Sequence, residues 1–292
     1  MLAFIFWMET MLNKTKLMGA GLGLRREMLG QLTTVPPGVD FWEIAPENWI
    51  PLGGKYSKIL RQFTQQHQFS CHGLSLSIGS PAPLDINFVK SVKHFLDEHQ
   101  IQSYSEHLSY CSGEGHLYDL MPIPFTEEAV KHVVQRVKQV QDIIERPLIL
   151  ENVSYYAAPG QEMSEQEFTL AVLNESGCSL LLDVNNIYVN SINHAYDAEQ
   201  FLASMPSHKI AYGHIAGHFD EADDLKVDTH GADVIEPVWQ LLKRAYELHG
   251  VFPTLLERDF NIPPIKTLLH EVEKIKSIQA LVALQNTAQR SA

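Results

Sequence analysis

SLLLDVNN, residues 179–186, reads as a buried strand that stops on a ligand. Leu180, Leu181 and Leu182 suit a strand covered on both faces, and Asp183, Asn185 and Asn186 then set a carboxylate and two amides at its end. The same grammar recurs along the chain. His72 follows FSC, Glu106 and His107 follow QSYS, Glu151 and Asn152 follow LIL, His214 follows IAYG, and Glu257 follows TLL. Apolar strands that each end in a metal-type ligand describe a barrel with one polar mouth.

The segments between these strands read as helices. Residues 56–67 and 85–99 are helical, the second with Phe88, Val89, Val92, Phe95 and Leu96 at three- and four-residue spacing. Residues 126–145 form the clearest helix: Thr126 caps it, Glu127 and Glu128 suit its first turn, and Val130, Val133, Val134, Val137, Val140 and Ile144 make one stripe. Ser164 and Glu167 form a capping box for the helix that Gly177 ends. After Asn186 a polar loop with Asn193 and His194 is expected, then a short helix at 198–204. Further helices span 235–249 and the residues after Pro263 and Pro264. Toward the N-terminus, GAGLGLR at 19–25 reads as the first strand and 39–44 as the second. Gly19, Gly21 and Gly23 lack the dinucleotide-loop spacing and suit close backbone approach inside a barrel. The long loop 109–124, rich in Gly and Pro, is placed to cover the mouth. Eight alternating strand–helix units give a (β/α)8 TIM barrel, α/β in class, whose active site lies at the C-terminal ends of its strands.

Composition agrees with that size. The chain has 292 residues and 45% hydrophobic content, enough for one barrel domain of roughly 250 residues. The expected division is a poorly ordered extension at 1–18, one metal-binding barrel at 19–280 and a tail at 281–292. The apolar opening MLAFIFWMET is too short to span a bilayer and lacks a basic segment before it, so a membrane anchor or secretion signal is not expected. A net charge of −13 with no Lys/Arg-rich run disfavours nucleic acid and anionic membrane as partners. Cys71, Cys111 and Cys178 are odd in number and widely spaced, which argues against a disulfide framework or a thiolate zinc site and for a reducing, cytoplasmic compartment. Cys71 is expected in the core, since strand alternation turns it away from His72.

The strand ends place His72, His107, Glu151, Asp183, His214 and Glu257 at one mouth, with Asp228 and His230 in the loop that follows the seventh strand. A single ion needs only three or four protein ligands. Eight imidazole and carboxylate candidates point to a multinuclear site, because carboxylates bridge cations and reduce their repulsion. Nitrogen and oxygen ligation suits iron, manganese or zinc. His67, His94, His99, His208 and His249 fall outside this pattern and read as packing or surface residues. Glu43 and Glu47 are placed to face the mouth; Glu47, with Asn48, could orient a ligand, but a loop carboxylate before Trp49 is more often solvated, and that is the simpler expectation.

Several motifs then carry a resemblance: GAGLGLR (19–25), PENW (46–49), HGLSLSIG (72–79), SEHLSY (105–110), LLLDVNNIYVN (180–190), HIAGH (214–218), DTHG (228–231) and PTLLERD (253–259). Together, over residues 19–271, the chain resembles the multinuclear non-heme iron-dependent oxidative enzymes, the family that includes the iron oxygenase of methanobactin biosynthesis. The resemblance implies a barrel holding two or three iron ions in mixed Fe(II)/Fe(III) states, with O2 as co-substrate. Its ligands would be His72, His107, Glu151, Asp183 or Asn185, His214, Asp228, His230 and Glu257, with His194 and His218 as further candidates. It further implies oxidation of a ribosomally synthesised precursor peptide, at Cys, together with a small leader-recognising partner protein. Arg258 departs from the pattern, since relatives often carry an aromatic residue there, and it is expected to alter substrate contacts rather than metal binding. Asp259 and Glu47 are candidate bases whose structural role is the simpler expectation. Two alternatives remain at this point: a divalent-metal hydrolase or sugar isomerase on a related barrel, and a non-catalytic metal-binding scaffold.

Overall fold

The computed structural model of the chain describes residues 16–30, 32, 36–113 and 115–290. Its strands are β1 (Ala20–Gly23), β2 (Phe41–Ile44), β3 (Gln68–His72), β4 (Ser103–His107), β5 (Tyr110–Ser112), β6 (His116–Met121), β7 (Ile149–Glu151), β8 (Ser179–Asp183), β9 (Ile210–Ile215), β10 (Phe219–Ala222), β11 (Leu225–Val227) and β12 (Thr254–Leu256). Eight of these close into a barrel in the order β1-β12-β9-β8-β7-β4-β3-β2, and every pairing within the barrel is parallel. The remaining four make two antiparallel hairpins, β5–β6 and β10–β11, in the loops after β4 and β9. The expected TIM barrel is thus observed. Much of the long loop 109–124 is the first hairpin rather than irregular chain.

The helices are α1 (Gly54–Gln66), α2 (Ile86–His99), α3 (Glu127–Ile144), α4 (Glu165–Ser176), α5 (Val184–Asn193), α6 (Ala198–Ser204), α7 (Glu236–His249) and α8 (Ile265–Arg290). Local signals fix their ends. The Thr126 side chain accepts from Ala129 N at 3.2 Å, Ser164 and Glu167 form the reciprocal capping box, and Gly177 ends α4 at a left-handed φ of 75°.

Three segments differ from the sequence reading. The residues after Asn186 form α5 rather than a polar loop. Asp183 caps that helix by accepting from Asn186 N at 2.6 Å, and Ile187 and Val189 are buried, so the asparagines conceal a helix with an apolar side. Between β1 and β2 the described residues hold a single 3-10 turn, Arg26–Gly30, in place of a helix. Residues 281–290 continue α8 because Val282 is fully buried, while 1–15 of the expected N-terminal extension and 291–292 of the expected tail lie outside the described residues.

Strand alternation sorts the barrel interior into layers. Phe41, Ile149, Leu181, Tyr212 and Leu255 pack together with Leu17 in a separate apolar cluster that fills the lower barrel. Two residues onward on the same strands stand Glu43, Glu151, Asp183, His214 and Glu257, all buried. Side chains two apart share a face, so the apolar floor dictates which residues of each strand end point inward. Glycine serves this floor: a methyl on Gly21 would overlap the Phe41 ring, which is the close approach expected of the GAGLG strand. Outside, Val133, Val137, Val140, Val172, Leu242 and Ile275 belong to the main core between helices and strands.

Candidate metal centre

Three groups of ligand-type side chains converge above the apolar floor: His72–His107–Glu151, Glu151–Asp183–His214–Glu257 and His230–Glu257–Asp259. Within each group one donor atom per residue lies within 4.8 Å of the others. Glu151 is common to the first two groups and Glu257 to the last two. The groups therefore form a chain joined by two carboxylates.

The first group shows why a cation fits. His72 Nε2 and His107 Nε2 face one another at 3.1 Å, and Glu151 Oε2 lies 3.0 Å from the former and 3.5 Å from the latter. Two imidazole nitrogens and a carboxylate oxygen at one point need a proton or a metal ion between them. Behind them, His72 Nδ1 meets Ser105 Oγ at 2.8 Å, which leaves Nε2 to the centre. In the second group His214 Nδ1 lies 2.8 Å from Glu257 Oε2, and its Nε2 lies 2.9 Å from Glu43 Oε1. Tyr212 Oη donates to the other oxygen of Glu43 at 2.6 Å. In the third, His230 Nδ1 lies 3.2 Å from Glu257 Oε2 and 3.5 Å from Asp259 Oδ2, while its Nε2 lies 2.8 Å from Asp228 Oδ1.

Several buried polar atoms here have only poorly aligned partners. Glu151 Oε2, Asp183 Oδ2, His107 Nδ1, His230 Nε2 and both His214 ring nitrogens have no well-formed hydrogen bond. Such a concentration is costly for a protein unless another species satisfies it. Protonation reflects the same crowding. Burial drives the Asp183 carboxyl up, and neighbouring Glu151 adds to this, to about 8. Burial also resists ionisation of Glu151, but His72 and His107 outweigh it and hold the carboxyl near 2. His107 is pushed down to about 4 by burial and by His72, whereas His72 rises to about 9 because Glu151 overcomes its burial. Imidazoles and carboxylates packed at these distances suit hard or borderline cations such as iron, manganese or zinc.

Of the residues expected from sequence, His72, His107, Glu151, Asp183, His214, His230 and Glu257 meet in the three groups. Asp228 and Asn185 stand beside them. Asp228 accepts from Asn185 Nδ2 at 3.0 Å and from Ser154 Oγ at 2.9 Å, and Asn185 Oδ1 pairs with His218 Nδ1 at 2.8 Å. His194 is elsewhere, its Nε2 at 2.8 Å from the Tyr155 carbonyl and its ring stacked on Tyr155. Glu106 and Asn152, each adjacent to a ligand, turn away. Glu106 accepts from Tyr104 Oη at 2.6 Å, and Asn152 brackets the Asp183 backbone. Glu47 accepts from the amides of Leu74 and Ser75 at 2.9 and 3.0 Å, an orienting role for the loop after His72.

Arg258 points out of the barrel to Asp233 and to Glu271 on α8, so it does not reach the mouth as expected. Cys71, Cys111 and Cys178 are free and buried, and burial pushes the Cys71 thiol well up. Sequence reasoning placed Glu43 at the mouth without its pairing to His214, and it missed Arg25, which pairs with Asp259 and with Glu257. The signal for Glu43 was its position two residues after Phe41.

Exposed apolar side chains ring the entrance. Leu74, Leu117, Met121, Tyr156, Phe219 and Phe260 are all exposed and sit on loops that follow barrel strands. Among the described residues no helix is long and apolar enough to cross a membrane.

Comparison with known proteins places the chain among relatives that it matches over nearly their whole length. The sequence profile of a family described as "RiPP precursor modification enzyme MbnB/TglH/ChrH" matches residues 19–280. A "UPF0276 protein" of Shewanella sediminis is 68% identical over 263 residues, covering 90% of this chain and 95% of the relative. Another, from Pseudomonas aeruginosa, is 53% identical over 262 residues, 89% of this chain and 92% of the relative. Among solved structures, D-psicose 3-epimerase from Clostridium cellulolyticum superposes with a TM-score of 0.55 at 12% identity, covering 91% of this chain and 97% of the epimerase. The IOLI protein with a bound zinc atom gives 0.55 at 14% identity, over 92% and 97%. Likeness at this level concerns the barrel alone.

Proposed function

Because the chain belongs to the MbnB/TglH/ChrH family of RiPP precursor modification enzymes, we propose that it is an iron- and O2-dependent oxidoreductase that modifies a Cys residue of a ribosomally synthesised precursor peptide. The observation that carries the reading is the chain of three ligand groups joined by Glu151 and Glu257. Shared carboxylates are the means by which a protein holds cations close together.

In this reading His72, His107 and Glu151 would hold one iron, Glu151, Asp183, His214 and Glu257 a second, and His230, Glu257 and Asp259 a third. Bound iron would supply the one-electron redox chemistry that imidazoles and carboxylates lack. The protein's own groups do the rest. Ser105 fixes the His72 ring, and Glu43, held by Tyr212, fixes His214. Asp228 orients His230 from its far nitrogen, and Asn185 steadies Asp228. Arg25 offsets the charge of Glu257 and Asp259 at the edge of the centre. The exposed apolar side chains around the entrance favour a peptide over a sugar as the molecule that covers it. A small partner protein that recognises the peptide's leader completes the proposal.

The test is metal content with Mössbauer and EPR spectra on protein purified without oxygen from iron-supplemented cells, followed by O2 uptake with the precursor peptide encoded beside its gene. Two or three irons per chain, a coupled ferric–ferrous signal and a mass change in the peptide are expected. Stoichiometric zinc or manganese without iron, and turnover that needs no oxygen, would replace this reading with a divalent-metal hydrolase or isomerase.

A further inference from the structure

A cavity of about 350 Å3 lies between the start of α4 and the α5–α6 segment, and none of its lining residues belongs to the three ligand groups. Glu165 is its most unusual wall. This carboxylate is 7% exposed, and its Oε1 accepts from Asn190 Nδ2 at 3.2 Å. Its Oε2 is buried without a well-formed hydrogen bond. Helix capping does not explain it, because Ser164 and Glu167 already close the start of α4 between themselves. Neither Lys nor Arg lines the cavity.

The other walls are aromatic. Tyr155 stacks on His194 with ring centroids 4.0 Å apart, and Tyr196 stacks on Phe201 at 5.7 Å. The Tyr155 and Tyr196 hydroxyls also reach the Glu165 carboxylate, in looser hydrogen-bond contact than Asn190, so its neighbours are neutral donors and none is a cation. Burial pushes that carboxyl up to about 7 in spite of its polar neighbours, so it is partly ionised at neutral pH and gains much from a positive partner. A buried carboxylate in a cavity lined by no Lys or Arg complements an organic cation by charge. A neutral alcohol would gain only the hydrogen bonds.

We infer that this cavity is a binding site for an ammonium or guanidinium group, held by Glu165 with the Tyr155 and Tyr196 side chains in the same wall. The volume suits a small ligand or one long side chain. The site is tied to the metal centre's scaffold through Asn190, whose Oδ1 accepts from Tyr155 N at 3.1 Å and whose Nδ2 donates to Val153 O at 3.0 Å, just beyond Glu151.

Calorimetric titration of the full-length, metal-loaded protein tests the inference with n-butylamine, spermidine, a Lys-containing peptide and, as the neutral control, n-butanol. Saturable binding of the amines but not of butanol is expected. Glu165→Gln, which keeps the shape and the Asn190 contact, should weaken amine binding at least about tenfold, the loss expected for a buried charge partner. Gln200→Lys, on the exposed rim, should block binding with its own tethered ammonium while Glu165 stays in place. Tighter binding of the peptide than of spermidine assigns the site to a basic peptide side chain, and the reverse assigns it to a free polyamine. The inference is overturned if neither amine gives saturable heat, if butanol binds as well as butylamine, or if both variants bind like the parent. Heat of binding is read without turnover, so the outcome is independent of the proposed peptide oxidation.

Discussion

Replacing Glu257 with alanine removes a donor from two of the three ligand groups at once and leaves His72–His107–Glu151 whole. The carboxylate now lies 2.8 Å from His214 Nδ1 and 3.2 Å from His230 Nδ1. Loss of a mere outer partner typically lowers metal affinity about 10- to 100-fold. Loss of the shared donor should therefore cost each of the two groups at least about 100-fold, which is about 2.7 kcal/mol. His107→Ala touches one group only, so it supplies the internal standard. Both proteins and the parent would be dialysed against the same chelator and their metal per chain measured by plasma mass spectrometry, with circular dichroism to confirm the fold. Glu257→Ala should lose about twice as much metal as His107→Ala, since it weakens two groups rather than one. Equal losses, or an unchanged metal count in Glu257→Ala, would show that Glu257 does not join two sites.

Glu165→Gln should stabilise the protein at alkaline pH. The Glu165 carboxyl is raised from an ordinary 4.5 to about 7 in the fold, so the folded state holds its proton more tightly and stability is lost as pH rises through that window. Integrated over the shift, the loss reaches about 3 kcal/mol, and the glutamine variant should escape it. Urea unfolding of both proteins at pH 5 and pH 8 reads the difference, and a gap that stays constant with pH would contradict the reasoning. Gly73→Ala should destabilise the protein by about 1–3 kcal/mol through overpacking, because the added methyl would overlap Glu106 and crowd Tyr104 Oη. Thermal unfolding checks it, and a parent-like transition would mean that the loop after His72 yields freely.

The fold was legible where local chemistry and tertiary environment agree. Strand ends, the valine stripe of α3 and the caps at Thr126 and Ser164 all follow from short-range patterns. α5 was not legible, because Asn185, Asn186, Asn190 and Asn193 read as loop residues. In the fold Asn190 Nδ2 donates to the Val153 carbonyl and Asn193 Nδ2 to that of Lys226, so their polarity is consumed by neighbouring segments. The site was legible wherever a His or carboxylate ends a buried apolar run. Glu43 was legible as a mouth residue, but its pairing with His214 was not, because β2 and β9 are not neighbours and only barrel closure brings the two side chains together. Arg25 escaped because its role depends on Asp259 more than 230 residues away, a pairing that barrel closure alone creates.

The order of strands in the barrel explains why this mouth favours several ions over one. His72, His107, Glu151, Asp183, His214 and Glu257 stand at the ends of β3, β4, β7, β8, β9 and β12, which are six consecutive strands around the ring. Neighbouring strands lie about 4.8 Å apart, so consecutive inward side chains arrive at a spacing that one carboxylate can span to either side. A lone ion would engage three or four of them and leave the rest buried with unsatisfied charge. The two strands that complete the ring bring Glu43 and, just past β1, Arg25, which engage His214 and the Glu257–Asp259 pair. Ligand supply and charge compensation are thus set by the same periodicity. A substitution that slipped one of these strands by a single residue would exchange its ligand for an outward-facing neighbour, such as Glu106 for His107, and break the chain of shared donors at that point.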